Sequence, residues 1–535
     1  MKIRVLSGLV LLAGATLLNT GCKKYLDVNT NPNVAQDVPV DQLLPSAQVS
    51  MASAMGVDLE INGSIWAQYW TQAPSSSQYK IYEQYSPSAS TYDRVWGLLY
   101  SSSLEDLDRM EKKATAANQT QYVGLAKILK AYEFQVITDG WGDIPYSEAL
   151  KGLPADGGNT APKFDAQSAI YDGIIKLVQD GRTLLKASAS DQTISGDVVY
   201  GGDKGLWTKF ANTLELKLFL RLSEKNPTKA QAGATAIMTS ATSNGFIDEG
   251  EDAVVKYGSA AGNQNPLYAE MVGLQSVQNL VASATSVDSL NANNDYRLYV
   301  FYNYLSNGAF VGLKQGFYTA PASTSVSIPH SSVGADVRDA NSATAPVKLI
   351  TSYESKFLQA EAAARSWGGA GSDATLFDEG IHASFAAYNT DFTVQQLQLA
   401  AAGDTSIYGN TIAQDIFLDA GYAYNAYVAG DTLTAVGPTG APAAYWSQYP
   451  ASGTVQQKLK FIITQKWFSM NGNQGFEAWT EWRRTGYPDF FTISVNSIIG
   501  AKFPRALFYP DVEVQRNRSF PGQRLITDKV WWDIH

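Results

Sequence analysis

Apolar residues recur at intervals of three and four along much of the chain, which is the spacing of one buried face of an α-helix. This pattern predicts helices over Tyr92–Lys113, Gln119–Thr138, Ala166–Leu185, Leu206–Leu222, Leu349–Arg365, Ala374–Tyr388 and Val455–Trp482. Short turns separate several of these segments, so we expect paired antiparallel helices in a tetratricopeptide-like, right-handed stack. No clean repeat of about 34 residues is present, so the repeat signal by itself is weak.

Two long stretches rich in Gly, Ser, Ala and Thr interrupt the helical pattern, at 248–348 and 389–454. Loops of this length are usually functional or disordered. Both stretches contain many aromatic residues, whereas disordered segments contain few. We therefore predict one domain over 41–535, in which loop-rich excursions are mounted on a mostly α-helical scaffold covering about 41–247, 349–388 and 455–490. Loops held by a rigid scaffold are a common place for binding residues.

The N-terminus has the pattern of a signal peptide followed by a lipid anchor. A basic start precedes the apolar run Val5–Leu18, which at about 14 residues is too short to span a bilayer comfortably. Cys22 then follows as the only cysteine, and acylation there would give stable membrane attachment. We predict a signal peptide over 1–21, lipidation of Cys22 and a tether over 22–40. Gly21, directly before the cysteine, fits the usual recognition sequence of a lipoprotein, whereas Asn19 stands where that sequence usually has Leu. The alternative is an ordinary signal peptide followed by a chance cysteine.

Composition narrows the ligand class. The formal net charge is −10 and the pI is about 5.0, which argues against nucleic acid, because phosphate binding requires a basic surface. The chain contains 12 Trp, 29 Tyr and 21 Phe residues. Tyr and Trp combine a flat apolar face with a polar edge, which suits stacking against sugar rings. For any single aromatic residue, a place in the core is the more common explanation.

The sequence contains none of the common catalytic motifs. Its three histidines are scattered and the mature chain would contain no cysteine, so neither a zinc site nor thiol catalysis is expected. Glu477 and Glu481 could act as the two carboxylates of a glycosidase. Their neighbours Arg483 and Arg484 favour a structural ion-pair cluster instead. We expect a protein that is not an enzyme and has no cofactor. A structural calcium ion bound in the loops is the one alternative to this expectation.

Several segments, taken in order, resemble the SusD/RagB family of outer-membrane lipoproteins, in its SusD-like subgroup. The most specific is Thr138–Ala149, with the sequence TDGWGDIPYSEA. The others are Cys22 with Tyr25–Asn33 behind it, Trp66–Trp70, Ala126–Phe134, Pro162–Asp165, Asp197–Asp203, Trp207–Leu214, Tyr353–Ala362, Ile463–Trp467, Trp482–Pro488 and Phe503–Pro510. Together they span nearly the whole chain.

The resemblance implies four tetratricopeptide-like helix pairs and an irregular, loop-rich lobe. It also implies a protein anchored by lipid to the outer membrane, facing the cell exterior, that covers a SusC-type TonB-dependent transporter and delivers a nutrient to it without catalysis. Three hypotheses follow for the ligand. We favour a glycan as the ligand. The alternative is an oligopeptide, as in RagAB-type importers, and a remote third hypothesis is that the protein is a surface glycosidase.

Ligand specificity in this family lies in variable loops, so the binding candidates come from composition alone. Stacking requires flat rings, and amide side chains nearby can bind hydroxyl groups. The stacking candidates are Tyr79, Tyr82, Tyr85, Tyr302, Tyr304, Tyr318 and Trp446, and the amide candidates are Gln78, Asn303 and Gln315. No set of metal ligands stands out.

Overall fold

The computed structural model describes residues 37–241, 245–368, 372–388 and 449–535. Cys22, the predicted signal peptide, Trp446 and most of the predicted 389–454 excursion lie outside these residues. The chain from Val40 to His535 forms one compact unit. No helix in the described ranges has both the length and the apolarity needed to cross a membrane.

Helices dominate the described structure and follow the predicted periodicity. The longer ones are α1 (Val40–Ala54), α2 (Glu60–Trp66), α5 (Glu105–Ala116), α6 (Thr120–Trp141), α7 (Gln167–Ala187), α8 (Lys204–Arg221), α9 (Pro227–Ser240), α10 (Pro266–Gly273), α11 (Ala284–Ala292), α13 (Ser352–Ala364), α14 (Asp373–Ala387), α15 (Val455–Ser469) and α16 (Gly475–Thr485). The short ones are α3 (Lys80–Glu83), α4 (Asp93–Trp96), α12 (Leu298–Phe301) and α17 (Asp511–Arg516). Two π-helical segments, Met55–Leu59 and Gly97–Leu104, join α1 to α2 and α4 to α5.

Successive helices pack as antiparallel neighbours. Helices α5 and α6, α6 and α7, α7 and α8, and α13 and α14 each form such a pair. Helices α6 and α7 approach each other closely at two glycines, where a Cβ on Gly181 would lie 2.7 Å from the carbonyl oxygen of Gly124. Helix α6 is buried along nearly its whole length and forms the centre of the scaffold. This is the predicted mostly α, tetratricopeptide-like arrangement of helix pairs, and it is confirmed.

The β-structure consists of three short antiparallel pairs among the described residues. Strand β1 (Trp70–Gln72) pairs with β5 (Leu280–Ala282), with Trp70 opposite Ala282. Strand β2 (Ile144–Pro145) pairs with β3 (Phe164–Asp165). Strand β4 (Ala253–Val255) pairs with β6 (Val347–Ile350). The β1–β5 pair therefore attaches the predicted 248–348 excursion to the scaffold, and the β4–β6 pair joins the two ends of the excursion.

The 248–348 excursion forms an irregular lobe. Besides β4, β5 and β6 it contains α10, α11 and α12. A small core of its own includes Val281, Leu313 and Ile328, packed against Ala73 of the loop that follows β1. The lobe is thus held to the segment after β1 by both backbone pairing and apolar contact.

Some predicted helix boundaries were wrong. The predicted helix Val455–Trp482 is two helices, because the chain turns at Gly472, where φ is +73°, and restarts at Gly475. A side chain at Gly475 would lie 2.4 Å from the backbone nitrogen of Ser64, so this turn packs tightly on α2. The predicted start at Leu349 was also early, because Val347–Ile350 is a strand. The helices that were not predicted are α1, α2, α9, α10 and α11, and the short helices α3, α12 and α17.

Candidate functional site

The irregular lobe brings together two loops that are far apart in sequence. The first follows β1 and contains residues 78–85, and the second contains residues 302–318. The side-chain nitrogen of Gln84 donates a 2.8 Å hydrogen bond to the Tyr318 hydroxyl. The Lys80 ammonium lies 5.1 Å from the centre of the Tyr318 ring, within cation–π range. The two loops that carry the candidates predicted from sequence are therefore in direct contact.

A buried carboxylate joins these loops beneath the surface. Glu83 is fully buried, and its carboxylate accepts hydrogen bonds from the Thr71 hydroxyl at 2.6 Å and the Gln72 backbone at 2.9 Å. The side-chain nitrogen of Gln315 donates to the same carboxylate at 3.1 Å and to the Trp70 carbonyl at 3.2 Å. Burial raises the pKa of Glu83 to about 7, because no cation compensates its charge. Glu83 and Gln315 thus fix both loops to strand β1.

A third segment, residues 494–498, completes the surface through backbone hydrogen bonds. Val495 donates to the carbonyl of Gln315 at 3.0 Å, and Ile498 donates to the carbonyl of Gln84 at 3.1 Å. The Asn496 side chain donates to the Gly316 carbonyl at 2.7 Å. We call the surface formed by residues 78–85, 302–318 and 494–498 the loop face.

Several of the predicted tyrosines lie below this face instead of on it. Tyr302 has 0% exposure, and its hydroxyl donates to the Tyr69 carbonyl at 2.8 Å and lies 2.9 Å from the Ser286 hydroxyl. Tyr79, Tyr82, Tyr85, Tyr318 and Gln315 are also buried. Burial raises the pKa values of Tyr85 and Tyr302, so both hydroxyls stay protonated. In this conformation these residues build the frame of the face, and no ring face of Tyr302 is accessible to a ligand.

Other candidates are at the surface. Tyr304 is 51% exposed, and its ring packs edge-on against Phe310 with the centroids 6.1 Å apart. Gln78 is exposed. Asn303 is half-buried, and its amide donates to the Pro329 carbonyl at 3.1 Å and to Asp336 at 2.9 Å. Their contact with a ligand stays a prediction.

The composition argument passed over residues that the structure places on the loop face. Phe317 is 42% exposed, and Val495 and Ile498 are 58% and 68% exposed. Lys80 and Gln84 supply polar groups beside Tyr318. Phe317 could have been found from its aromatic neighbourhood in the 302–318 loop. Val495 and Ile498 join the face through backbone bonds, for which the sequence carries no signal.

The loop face therefore combines apolar and aromatic surface with amide and ammonium groups. Such a surface can hold a flat, hydroxylated molecule by stacking and by hydrogen bonds to its edges. Its one buried carboxylate, Glu83, lies beneath the surface with its oxygens hydrogen-bonded. The arrangement suits binding and offers no accessible acid–base pair.

The carboxylates considered for glycosidase chemistry lie elsewhere, in a buried charge network. Glu477 pairs with Arg221 at 2.7 Å and with Lys217 at 2.9 Å. Glu481 pairs with Arg484 at 2.7 Å and also with Arg221. The Arg221 guanidinium beside Glu477 lowers the pKa of that carboxyl to about 2, despite its burial. The ion-pair interpretation of these residues is confirmed.

This network extends over five helices of the scaffold. Asp139, whose carboxylate lies 3.3 Å from the Arg221 guanidinium, comes from α6, Lys217 and Arg221 from α8, Glu361 from α13, Lys466 from α15 and Glu477, Glu481 and Arg484 from α16. All of these side chains are nearly inaccessible to solvent. A buried pair whose charges are fully matched is stable only while every partner remains in place. The network therefore specifies how the helices join.

The described part of the chain contains no candidate metal site. No three side chains of His, Cys, Asp or Glu converge there as metal ligands.

The fold and the loop face define a class of protein: a helical-repeat scaffold carrying an irregular lobe with a surface suited to ligand binding. The chain belongs to the SusD-like family described as "Starch-binding associating with outer membrane", whose profile matches residues 32–510. This membership confirms the resemblance and identifies a carbohydrate-binding, outer-membrane-associated class. The family is one of binding proteins, and no enzyme family is indicated.

Solved structures share the fold over nearly the full length. A chitin-binding protein is 24% identical, with a TM-score of 0.71 over 93% of this chain and 100% of its own. A SusD homologue from Bacteroides fragilis is 22% identical, with a TM-score of 0.67 over 93% of this chain and 99% of its own. A chitin-binding SusD homologue from Flavobacterium johnsoniae is 21% identical, with a TM-score of 0.71 over 93% and 99%. The comparison with curated proteins gave no match.

Proposed function

We propose that this protein binds a glycan on the loop face without catalysis and delivers it to a SusC-type TonB-dependent transporter. A chitin-type oligosaccharide is the first candidate, because two of the similar structures are chitin-binding proteins. A starch-type oligosaccharide is the second, because the family description names starch.

One observation carries this proposal. Tyr304 and Phe317 are large aromatic side chains exposed to solvent on loops whose backbone is fixed. Near Phe317 the loop is fixed by the hydrogen bonds of Glu83 and Gln315 described above. Next to Tyr304 it is fixed by the Asn303 backbone N–H, which donates to the Ile328 carbonyl at 2.9 Å. A rigid frame reduces the entropy lost when a ligand binds, and exposed rings supply the stacking surface that sugar rings need.

The location is part of the proposal. The family is associated with the outer membrane, and Cys22 follows an apolar leader in the sequence. We propose that acylated Cys22 anchors the protein to the outer membrane, on the side of the cell exterior and beside the transporter.

Titration calorimetry with purified full-length protein tests the ligand. The probes are a chitin tetramer, a starch-type heptamer and a mixture of oligopeptides, and released sugar is measured in parallel. Tyr304→Ala and Phe317→Ala should each weaken glycan binding by about fivefold, or about 1 kcal/mol. Tyr304→Phe keeps the ring and should bind nearly as the wild type does. Leu525→Ala removes an apolar side chain that is 67% exposed on another loop and should have no effect.

Each outcome has a definite meaning. Saturable binding of one glycan class, weakened by the two alanine variants and without released product, supports the proposal. Binding of peptides alone would indicate that the protein captures oligopeptides, instead of glycans, for the transporter that it covers. Released sugar would contradict the non-catalytic role, and unchanged affinity in both alanine variants would remove the loop face as the site.

A further inference from the structure

Asn307 and Gly308 form an exposed turn on the loop face. Both residues are exposed, and Gly308 has a φ of +79°. The Leu305 backbone N–H donates to the Ala309 carbonyl at 2.8 Å, and this hydrogen bond closes the turn. A Cβ on Gly308 would have no atom of another described residue within 4 Å, its chain neighbours aside. The peptide bond between Asn307 and Gly308 is therefore surrounded by open space.

An asparagine that precedes a glycine can lose its side-chain amide without an enzyme. The backbone nitrogen of the glycine attacks the side-chain carbonyl carbon of the asparagine. A new C–N bond forms, and the side-chain amide leaves as ammonia. Water then opens the resulting cyclic succinimide at either carbonyl, which yields aspartate or isoaspartate. The attack requires a main chain that is free to bend and a nitrogen without a bulky neighbour, so glycine and exposure both favour it.

Two hydrogen bonds of the turn act on this reaction in opposite directions. The Ala309 backbone N–H donates to the side-chain oxygen of Asn307 at 3.1 Å. Negative charge develops on that oxygen during the attack, and a backbone donor stabilises such charge. The Gly308 N–H donates to the Leu305 carbonyl at 2.8 Å, so this bond has to break before the nitrogen attacks. Because an exposed turn opens at little cost in free energy, we expect the reaction to proceed at Asn307.

The other Asn–Gly pairs that the structure describes are protected by burial. Asn62 lies in α2 with 1% exposure, and its side-chain oxygen accepts a 2.9 Å hydrogen bond. Asn471 is also 1% exposed, and its side-chain nitrogen donates at 3.0 Å to the hydroxyl groups of Ser286 and Tyr302. Neither side chain can rearrange unless its surroundings unfold. Among the pairs with both residues described, Asn307 and Gly308 form the exposed one.

We propose that Asn307 is a site of spontaneous deamidation that alters the loop face as the protein ages. The product carries a carboxylate in place of the amide. Isoaspartate also adds one carbon to the main chain between Leu305 and Ala309, which disturbs the hydrogen bond that closes the turn. Tyr304 and Phe310 flank this turn with their rings in edge contact, so the exposed ring of Tyr304 should move. The effect on glycan binding rests on the proposed function, whereas the covalent change does not.

Peptide mapping by mass spectrometry tests the covalent change. Full-length protein is incubated at pH 7.5 and 37 °C, and the gain in mass that marks conversion of an amide to a carboxylic acid is followed at each Asn–Gly pair. The Asn307 peptide should be mostly converted before the Asn62 or Asn471 peptide shows any gain. In urea, where the chain is unfolded, all three peptides should react at similar rates. The matched control is Asn307→Gln, whose longer side chain cannot form a succinimide and should keep its amide.

The effect on binding is measured on modified protein that anion exchange has separated, because each modified molecule carries one more negative charge. Its affinity for the glycan should fall by up to about fivefold, which is the loss expected for Tyr304→Ala. The Asn307→Gln protein, incubated in the same way, should bind the glycan as it did before incubation.

The outcomes separate this inference from the proposed function. If Asn307 keeps its amide in the folded protein while the unfolded protein reacts, the inference is wrong. Equal conversion of all three pairs in the folded protein also overturns it, because the reaction would then proceed through unfolding. Conversion with unchanged affinity supports the modification site and overturns its effect on the loop face. Conversion in a protein that binds no glycan contradicts the proposed function and leaves the modification site intact.

Discussion

Replacing Glu83 by glutamine should make the stability of the protein less dependent on pH. Burial raises the pKa of this carboxyl from its ordinary value of 4.5 to about 7. The folded protein therefore binds the proton more tightly than the unfolded chain does. The stability that this proton contributes is fully present below pH 4.5 and is lost as the pH rises through about 7.

The size of the effect follows from these two pKa values. They differ by about 2.5, which corresponds to about 3 kcal/mol at roughly 1.4 kcal/mol for each tenfold change in proton affinity. About 2.5 kcal/mol of this is lost between pH 5 and pH 8. Glutamine has nearly the same shape and does not ionise, so Glu83→Gln should not show this loss.

Urea unfolding followed by Trp fluorescence at pH 5 and pH 8 measures the effect. The unfolding free energy of Glu83→Gln, relative to wild type, should rise by about 2.5 kcal/mol from pH 5 to pH 8. A constant offset between the two proteins is irrelevant, because only the change with pH reports the Glu83 proton. The control is Glu105→Gln, whose carboxylate pairs with Arg109 at the surface and which should parallel the wild type. Equal pH dependence of Glu83→Gln and wild type would refute the reasoning.

The remaining predictions concern the scaffold and the anchor. Arg221→Met leaves the carboxylates of Glu477 and Glu481 buried with one partner fewer, and should lower the unfolding free energy by about 3–5 kcal/mol. The control is Lys176→Met, which removes an exposed pair with Asp180 and should change the unfolding free energy by less than about 0.5 kcal/mol. Similar losses for the two variants would show that the network adds nothing to stability. Cys22→Ser should move the protein from the membrane fraction to the soluble fraction, since it removes the thiol that would carry the acyl chains. Continued sedimentation of Cys22→Ser with membranes would contradict lipidation at this residue.

The scaffold could be predicted because its helices carry a strong periodic signal. Helix α6 has large apolar residues at helical spacing along its whole length and was predicted almost to its ends. Helix α9 was missed although Ala230, Ala234, Ile237 and Met238 bury one face. Two of these four residues are alanines, which carry little signal for burial. The break after α15 did have a signal, namely Gly472 and Gly475, which the apolar pattern around them obscured.

The loop face could be predicted only in part. The aromatic content of residues 302–318 pointed to a loop that forms part of the loop face, but could not separate Tyr304, which is exposed, from Tyr302, which is buried. That difference depends on the Tyr69 carbonyl and the Ser286 hydroxyl, which meet Tyr302 only in the folded chain. Val495 and Ile498 join the loop face through backbone hydrogen bonds. Such bonds do not depend on the side chain, so no sequence pattern predicts them.

Burial alone does not decide how a carboxylate in this protein responds to pH. Glu477 and Glu481 are buried beside cations, which lower their pKa values, so their contribution to stability is present above pH 4.5 and is lost only as the pH falls toward 2. Glu60 and Glu83 are equally buried but accept only hydrogen bonds, and their pKa values rise to about 7. The first pair holds the scaffold helices together, whereas Glu83 holds the two loops of the loop face. Rising pH therefore weakens the support that Glu83 gives to the two loops of the loop face, while the charge network of the scaffold stays fully ionised.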